Sequence, residues 1–496
     1  MQTVAFHNLG CKVNAYEMEL MQQKFRDNGY EIVPFSEKAD IYIVNTCTVT
    51  NIADRKSRQM LHRAKALNPE ALVVAAGCYV ETDREGAVND ECIDIVVGNK
   101  EKPDILEIIR EYIAGTRVRF SGTGGRFSGP IVSGPENRPP VPENRPPVPV
   151  PTAPNFLTTL TEHTRAYIKI QDGCDQYCSY CIIPYSRGHV TSRPEEETLR
   201  EIAALAQRGC REFVITGIHL SSYGLDRPYN MATKDGSFHN RGLTDIIKRI
   251  DRVEGVKRIR LGSLEPQIIT DDFLEEMTEI RSFCPHFHLS LQSGSDSVLK
   301  RMNRRYTTEE YYEKVQLIRE YFEHPAITTD VIVGFPGETE DEFRQTRQFL
   351  DRVDFYETHI FAYSRRKGTV ADRMPGQLTR REKNERSQIL IADSAARARR
   401  FRDYYIGRPE EILIEETVTL DGELYQTGYN REYVKYACKP MPDDSGKSPA
   451  GNTAVLTSEA IGESPVNNNE DCPGRLIKGR AEGFLNDELL LMQFSH

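Results

Sequence analysis

The amino-acid sequence predicts a multidomain α/β protein that ends in a small β-barrel. Two series of short β-rich runs alternate with helical patterns, as parallel sheets flanked by helices require, and short alternating strands then follow. A length of 496 residues also exceeds what one hydrophobic core usually organises. We therefore expect domains at residues 1–117, 156–400 and 405–496, with a linker at 118–155.

The first series predicts a small parallel sheet. Each strand-like run is short and is followed by a helical pattern, which is the order of a doubly wound unit. The predicted strands are Thr3 to Asn8, Asp40 to Asn45, Leu72 to Ala76 and Ile93 to Val97, and the predicted helices are Ala15 to Asn28 and Ala53 to Asn68.

Composition identifies the linker. From Gly122 to Pro154 the chain is rich in Gly, Ser and Pro and contains the tandem PENRPPVPENRPPVP. Such a segment is semi-extended through its prolines and carries no fold of its own.

The second series predicts about six β/α units that close fully or partly into a barrel. Barrel enzymes keep their chemistry at the carboxyl ends of the strands, so the site is expected there. The predicted strands are Arg165 to Ile170, Glu212 to Thr216, Arg258 to Leu261, His286 to Leu291, Ile327 to Val333 and Thr358 to Tyr363. The terminal barrel is predicted from EILIEE, YQTGYNREYVKYA, LIKGRAEGF and ELLLMQF, with a polar insertion near Met441 to Glu470.

Composition excludes some classes of protein. No apolar stretch approaches the roughly 20 residues of a membrane span, and MQTVAFHNLG lacks the pattern of a secretory signal. We therefore expect a cytoplasmic protein without a membrane partner. The 11 cysteines are scattered, which favours metal or catalytic use over a disulfide scaffold. The net charge of −10 does not by itself suggest a nucleic-acid partner.

Three cysteines lie within eight residues in GCDQYCSYC, directly after the first predicted barrel strand. Cys174, Cys178 and Cys181 can hold three corners of a cubane iron–sulfur cluster and leave the fourth iron open to a small molecule. The alternatives are a zinc site completed by a distant ligand such as His189, or three incidental buried thiols. The spacing and the strand-to-loop context favour the cluster.

Three further cysteines end or follow strands of the first series, in AFHNLGC, IYIVNTC and VVAAGC. The carboxyl ends of parallel strands share one edge of a sheet, so Cys11, Cys47 and Cys78 could meet in space. Cysteine is also a common core residue. The residues alone leave a second cluster and three structural thiols equally open.

The chain resembles the radical S-adenosylmethionine superfamily in its CxxxCxxC triad. NLGCKVNAYE, VNTCTVT and AAGCYVE are similar to the three cysteine motifs of the methylthiotransferase family within it. The resemblance implies a radical-SAM barrel, a TRAM-like terminal barrel that binds RNA, and two 4Fe-4S clusters. The first cluster, on Cys174, Cys178 and Cys181, would chelate S-adenosylmethionine and cleave it reductively to a 5'-deoxyadenosyl radical.

The resemblance assigns the second cluster, which supplies or carries the sulfur, to Cys11, Cys47 and Cys78. The chemistry is consistent, since insertion into an unactivated C–H bond needs both a radical and a sulfur donor. The other cysteines match no motif and are predicted to be structural: Cys92, Cys210, Cys284, Cys438 and Cys472.

Several segments place small or polar residues after successive barrel strands: ITGIHLSSYG, LGSLEP, LSLQSGSD and VGFPGETE. A glycine-rich turn is often only a turn. Together with the family's corresponding segments, however, these predict a pocket for S-adenosylmethionine. The expected contacts are Tyr180, Gly217, Ser263, Glu265 and Gln292. No catalytic acid or base can be assigned.

Two basic segments bear on the substrate. Arg365 to Arg408 contains 13 Lys or Arg against 5 Asp or Glu, and LKRMNRRY adds a second cluster at Leu299 to Tyr306. Such segments can follow phosphates, and the alternative is a solvated helix face.

Lys12 and Val13 resemble the branch of the family that modifies N6-threonylcarbamoyladenosine. The implied reaction is methylthiolation of C2 at adenosine 37 of tRNA, beside the anticodon. It implies an electron donor and a sulfur source as further partners, and a monomer would suffice. The alternatives are isopentenyladenosine in tRNA, an aspartate of a ribosomal protein, or a non-catalytic iron–sulfur protein that binds RNA or transfers electrons. An electron carrier normally has all its irons bound by protein, which speaks against the last.

Overall fold

The computed structural model describes residues 2–115, 156–159, 164–226, 241–440 and 474–494. The predicted linker at 118–155, the polar insertion near Met441 to Glu470 and Cys472 lie outside these ranges.

The first domain is a five-stranded parallel sheet between two layers of helices. Its strands are β1 (Thr3–Asn8), β2 (Glu31–Val33), β3 (Ile41–Thr46), β4 (Leu72–Gly77) and β5 (Ile95–Val97), in the spatial order β2-β1-β3-β4-β5. Its helices are α1 (Lys12–Asp27), α2 (Asn51–Leu67), α3 (Cys78–Thr82), α4 (Arg84–Val88) and α5 (Ile105–Ile113). Strands β3 and β4 are buried along their whole length, as the central strands of such a sheet must be.

The predicted elements of this domain are confirmed within a few residues. The sequence reasoning missed β2, which has only three residues and pairs on one side with β1. A short, half-exposed edge strand shows neither a long apolar run nor a clear alternation.

The second domain is a longer β/α series. Its strands are β6 (Ala166–Asp172), β7 (Thr191–Ser192), β8 (Glu212–Gly217), β9 (Arg258–Leu261), β10 (His286–His288), β11 (Ala326–Val333) and β12 (Glu357–Ala362). Its helices are α6 (Ile183–Arg187), α7 (Glu195–Gln207), α8 (Arg241–Asp251), α9 (Asp271–Glu279), α10 (Asp296–Arg301), α11 (Thr308–Tyr321), α12 (Glu340–Val353) and α13 (Arg380–Asp403).

Parallel pairing runs through this domain in chain order. Strand β6 pairs with β8 and β8 with β9, while β10 pairs with β11 and β11 with β12. Single parallel bridges, Ile259 with Phe283 and Leu264 with Leu289, connect the two groups. The prediction of a strand from His286 to Leu291 is therefore too long: the ladder ends at His288, and Leu289 contributes only a bridge.

The third domain is a closed barrel of β13 (Pro409–Leu420), β14 (Glu423–Tyr429), β15 (Lys435–Cys438), β16 (Leu476–Phe484) and β17 (Leu490–Phe494). The predicted single run YQTGYNREYVKYA is wrong, because a turn divides it into β14 and β15. In that turn the Val434 N–H donates to Asn430 Oδ1 at 2.8 Å, and Tyr433 adopts a φ of 68°.

The third domain seals the amino ends of the second domain's strands. Arg258 and Arg260 point from β9 towards it and donate to the carbonyl oxygens of Tyr429 and Arg431 at 2.8 and 2.9 Å. The opposite, carboxyl ends of the strands face the first domain. In the part of the chain that the structure describes, no helix is long and apolar enough to cross a membrane.

Candidate iron–sulfur and cofactor site

The triad Cys174, Cys178 and Cys181 occupies the loop that leaves β6, at the carboxyl edge of the second domain. The Cys174 N–H donates to the Gly188 carbonyl at 3.0 Å, so the loop returns to its own start. This return requires Gly173, which has a φ of 70° and whose missing Cβ would collide with the backbone of His189. The Ser179 N–H donates to the Met302 carbonyl at 3.0 Å and anchors the middle of the loop.

Arg304 lies directly behind the triad. Its guanidinium donates to Cys178 Sγ at 3.3 Å and to Glu265 Oε2 at 2.5 Å. Burial favours the neutral acid, but Arg304 and His219 lower the pKa of Glu265 to about 2. An N–H donor directed at a cysteine sulfur is typical of iron–sulfur sites, where such bonds tune the cluster.

The sequence reasoning missed this role of Arg304. It belongs to LKRMNRRY, where it was counted among residues that could follow phosphates, yet its side chain is only 6% exposed. Arg301 of the same segment pairs with Glu342 at 2.8 Å. Two of the cations in this segment are therefore paired with acids, and contacts to partners far along the chain cannot be seen in a local charge pattern.

The five residues that are expected to contact the cofactor differ in their burial and in their neighbours. Glu265 faces His219 and Arg304, and Gln292 is buried with a φ of 72°. Gly217 lies so close to Gln171 that a Cβ there would come within 2.7 Å of Gln171 Oε1. Tyr180 packs on a small apolar cluster beneath the loop, and Ser263 is exposed. All five lie along the carboxyl edge, and their contacts with a cofactor stay a prediction.

The second cysteine triplet forms at the carboxyl edge of the first domain. Cys11 caps the amino end of α1, Cys47 follows β3, and Cys78 follows β4 as the first residue of α3. Cys47 lies within electrostatic range of both other thiols. Gly10 closes this cradle: with a φ of 113°, a Cβ there would come within 3.1 Å of Cys47 Sγ.

The donor sets fit iron–sulfur clusters. Burial raises the pKa of Cys47 and of Cys174 to about 11 and that of Cys181 to about 12. Thiols gathered in threes, with N–H donors beside them, form a ligand set that would hold the iron of such clusters, and iron binding would displace their protons. For the second triplet the donor is Asn99 Nδ2, which lies 3.5 Å from Cys78 Sγ.

Both triplets adjoin the interface between the first and second domains. Helix α3, which Cys78 opens, packs against α6, which begins two residues after Cys181. Asn99 bridges the helices, because its Nδ2 also donates to the Ser186 carbonyl at 3.1 Å. No sequence motif marks Asn99.

A buried charge network joins the same two domains. Arg187 in α6 donates to Glu17 Oε1 at 2.9 Å, to Asn14 Oδ1 at 2.7 Å and to Asp172 Oδ1 at 3.1 Å. Burial alone would raise the pKa of Glu17, but Lys102, Arg187 and Lys169 hold it well below its usual range. These residues hold the first and second domains together at the edges that carry the two triplets.

The basic segment from Arg365 to Arg408 is largely paired with acids. Helix α13 supplies many of its cations, and they contact neighbouring helices or the third domain. The pairs include Arg386 with Glu338, Arg397 with Asp351, Arg399 with Asp487 and Arg400 with Asp354. Much of this local excess of positive charge is therefore balanced by acids on neighbouring elements.

Of the remaining described cysteines, Cys210, Cys284 and Cys438 are buried and agree with a structural role. Cys92 is only partly buried and lies beside His62 and Asp90 on the first domain.

This fold and the CxxxCxxC loop define the radical S-adenosylmethionine class. Residues 168–350 match the Radical SAM superfamily, and residues 3–98 match a family described as uncharacterized protein family UPF0004. A solved radical S-adenosylmethionine methyltransferase, TsrM from Kitasatospora setae, shares the fold with a TM-score of 0.51 at 17% identity, over 85% of this chain and 79% of that one.

Comparison with curated relatives shows to which family of this class the chain belongs. The chain is 39% identical to threonylcarbamoyladenosine tRNA methylthiotransferase MtaB of Bacillus subtilis (strain 168), over 90% of this chain and 92% of the relative. It is 38% identical to the MtaB protein of Aquifex aeolicus (strain VF5), over 85% of this chain and 95% of the relative. The chain therefore belongs to the MtaB family of threonylcarbamoyladenosine tRNA methylthiotransferases.

Proposed function

We propose that the protein methylthiolates C2 of N6-threonylcarbamoyladenosine at position 37 of tRNA, giving 2-methylthio-N6-threonylcarbamoyladenosine. The observation that carries the proposal is the placement of two cysteine triplets beside one interface between two domains, where α3 packs against α6. A transferase that combines radical and sulfur chemistry needs both centres at one substrate. Identity to MtaB proteins over most of the chain supports this substrate over the alternatives. Since the substrate is tRNA, we place the reaction in the cytoplasm.

The cofactors are S-adenosylmethionine and two 4Fe-4S clusters, which supply, when bound, the reducing electron, the radical and the transferred sulfur and methyl groups. We assign one cluster to Cys174, Cys178 and Cys181. The other we assign to Cys11, Cys47 and Cys78. Each set offers three thiolates, so one iron of each cluster stays free for a non-protein ligand.

The chain's own residues hold and orient these groups. Arg304 bonds both Cys178 and Glu265, so it couples the cluster loop to the wall on which we place S-adenosylmethionine. Glu265 stays ionised at neutral pH and can accept hydrogen bonds from the cofactor. We assign Gly217 to close approach of the cofactor, and Tyr180, Ser263 and Gln292 to its remaining contacts.

Exposed apolar side chains lie beside both triplets in the sequence. Val49 and Ile52 follow Cys47, and Tyr177 and Tyr185 flank the other triad. The rings of Tyr177 and Tyr185 lie 6.1 Å apart, edge to face. Unstacked bases of an RNA loop bind to such aromatic surfaces, so we assign this rim to the anticodon loop.

We assign the remaining parts of the chain to the family's pattern. Residues 1–117 form the methylthiotransferase domain, 156–400 a partial (β/α)6 barrel, and 405–496 a TRAM-like barrel that contacts tRNA. The linker at 118–155 joins the first two. One chain carries every part, so a monomer suffices, together with an external reductant and sulfur source.

Substitution of one cysteine in each triplet tests the proposed function. The reconstituted, reduced protein is incubated anaerobically with S-adenosylmethionine and tRNA that carries threonylcarbamoyladenosine, and 5'-deoxyadenosine and methylthio-nucleosides are measured by mass spectrometry. We expect Cys174→Ala to abolish both products. Cys47→Ala should retain 5'-deoxyadenosine and lose the methylthio-nucleoside, while Cys92→Ala should retain both.

The result also separates the alternatives. A methylthio group on isopentenyladenosine but not on threonylcarbamoyladenosine would assign the protein to the other tRNA branch. Formation of 5'-deoxyadenosine with no change in any tRNA nucleoside would refute the substrate. If neither product forms while both clusters are intact, the electron-carrier alternative is favoured.

A further inference from the structure

The interior of the second domain contains a polar group that neither cysteine triplet uses. His288, Asp330 and His359 lie on the neighbouring strands β10, β11 and β12, and one nitrogen or oxygen from each lies within 4.8 Å of the others. His288 Nε2 is 3.4 Å from Asp330 Oδ2, and Asp330 is the direct register partner of His359. The three side chains thus form one patch across three strands.

This patch faces the inside of the strand series. Alternate residues of a strand point to opposite faces. Ile327 and Val331 lie on the face of β11 opposite to that of Asp330, and they belong to the main hydrophobic core beneath the helices. Asp330 therefore points inward. The Gln292 N–H donates to the Asp330 carbonyl at 2.8 Å, which places the patch beside the wall that we assign to the cofactor.

Lys12 enters the same space from the first domain. It follows Cys11 at the start of α1, and its ammonium lies within electrostatic range of Arg260, Arg165, Asp330 and Glu212, all from the second domain. Lys12 is solvent-accessible. Among the described residues, its ammonium has neither a hydrogen bond nor an ion pair.

The charged groups around Lys12 are already paired with other residues. Arg260 donates to Glu212 Oε1 at 3.0 Å, and Arg165 pairs with Glu415 and Glu212. Glu212 is thus already shared among arginines, and Asp330 lies against His288. The Lys12 ammonium is therefore available to bind an anion that enters this space.

We propose that Lys12 binds the carboxylate of the substrate's threonyl arm, while His288 and His359 contact its hydroxyl and urea groups. This rests on the proposed function, and it concerns how that site recognises its substrate. The arm carries the only anionic group on the modified base, and an ammonium and a carboxylate form a charge-assisted hydrogen bond. Asp330 positions the His288 imidazole. The isopentenyl arm offers none of these groups, so the patch selects against it.

The test compares one tRNA in two forms, with the threonyl carboxylate free or converted to the primary amide. Both are titrated onto the reconstituted holoenzyme in the presence of S-adenosylmethionine, and Kd is measured by fluorescence anisotropy and KM by methylthio-nucleoside formation. We expect the wild type to prefer the acid by about tenfold to a hundredfold, as for a hydrogen bond to a charged group.

Substitutions test whether Lys12 causes the preference for the acid form. Lys12→Met should reduce the ratio of the affinity for the acid form to the affinity for the amide form to about one, and Lys12→Arg should largely retain this ratio. His359→Leu should weaken binding of both forms alike. The matched control is Lys38→Met, because Lys38 is exposed in the loop before β3, at the opposite edge of the first domain's sheet. Iron content is measured for each variant, since Lys12 adjoins Cys11.

Each outcome is decisive. A wild-type ratio near one overturns the proposal without reference to any variant, and so does a ratio that survives Lys12→Met with full iron content. A wild type that binds the acid preferentially in anisotropy but forms no methylthio-nucleoside would refute the proposed function and leave the carboxylate site in place.

Discussion

Arg187 should be the residue whose loss most clearly separates the first domain from the second. Its side chain is 1% exposed and contacts Glu17, Asp172 and Asn14, so it holds two carboxylates and an amide at the interface. The substitution Arg187→Met keeps much of the aliphatic volume and removes the charge. It leaves Glu17 to Lys102 and Lys169, and Asp172 to Lys169 alone.

The magnitude follows from burial. Breaking a buried ion pair by removal of one partner costs about 3 to 5 kcal/mol. With an unfolding entropy of about 2.1 cal/mol/K per residue over the roughly 350 residues of the two domains, this lowers Tm by about 4 to 7 °C. The matched control is Arg249→Met: Arg249 also contacts two carboxylates, of Glu195 and Glu196, but is 41% exposed. An exposed pair contributes about 0 to 1 kcal/mol.

The assay has two readouts. Thermal unfolding measures stability, and product analysis measures function. Because Arg187 joins the two domains that carry the triplets, methylthio-nucleoside, which needs both triplets, should fall further than 5'-deoxyadenosine. If Arg187→Met shifts Tm no more than Arg249→Met, and the two products fall together, the network does not join the domains and our reasoning is wrong.

Two other substitutions test local features. Gly10→Ala should about halve bound iron, because a Cβ there meets Cys47 Sγ and the φ of 113° is strained; Gly29→Ala, with a φ of 82° and open space, should keep its iron. Iron loss in both variants, or in neither, would contradict the cradle at Gly10. Burial and the nearby Glu432 raise the pKa of Glu410 from 4.5 to about 7, so its contribution to stability is lost as pH rises from 4.5 through 7. Glu410→Gln should therefore raise the free energy of unfolding at pH 8 by about 1 to 2 kcal/mol, after allowance for partial exposure, and match wild type near pH 4.5. Urea unfolding at both pH values measures this, and a gain that does not depend on pH would contradict it.

The order of elements and the triad at Cys174 were predictable from the sequence, whereas the role of Cys11, Cys47 and Cys78 was assigned by the family resemblance. Parallel strands with helical crossovers leave a strong periodic pattern, and cysteines at the ends of strands must share an edge of the sheet. The triad at Cys174 is close in sequence, so its convergence needs only one loop. For Cys11, Cys47 and Cys78, the topology of β1, β3 and β4 supplies the convergence.

Only the tertiary structure decided which residues complete the site. Arg304 reaches Cys178 across 126 positions, and Arg187 reaches Asn14 across 173. Nothing local distinguishes these arginines from exposed ones, because a side chain's partner depends on how separate elements pack. For the same reason, the charge pattern of the basic segment that includes α13 leaves a phosphate contact and a solvated helix face equally open, whereas the structure shows that many of its cations pair with acids. The sequence by itself determined the elements and the cysteines, whereas packing between domains decided which charges face the reaction space.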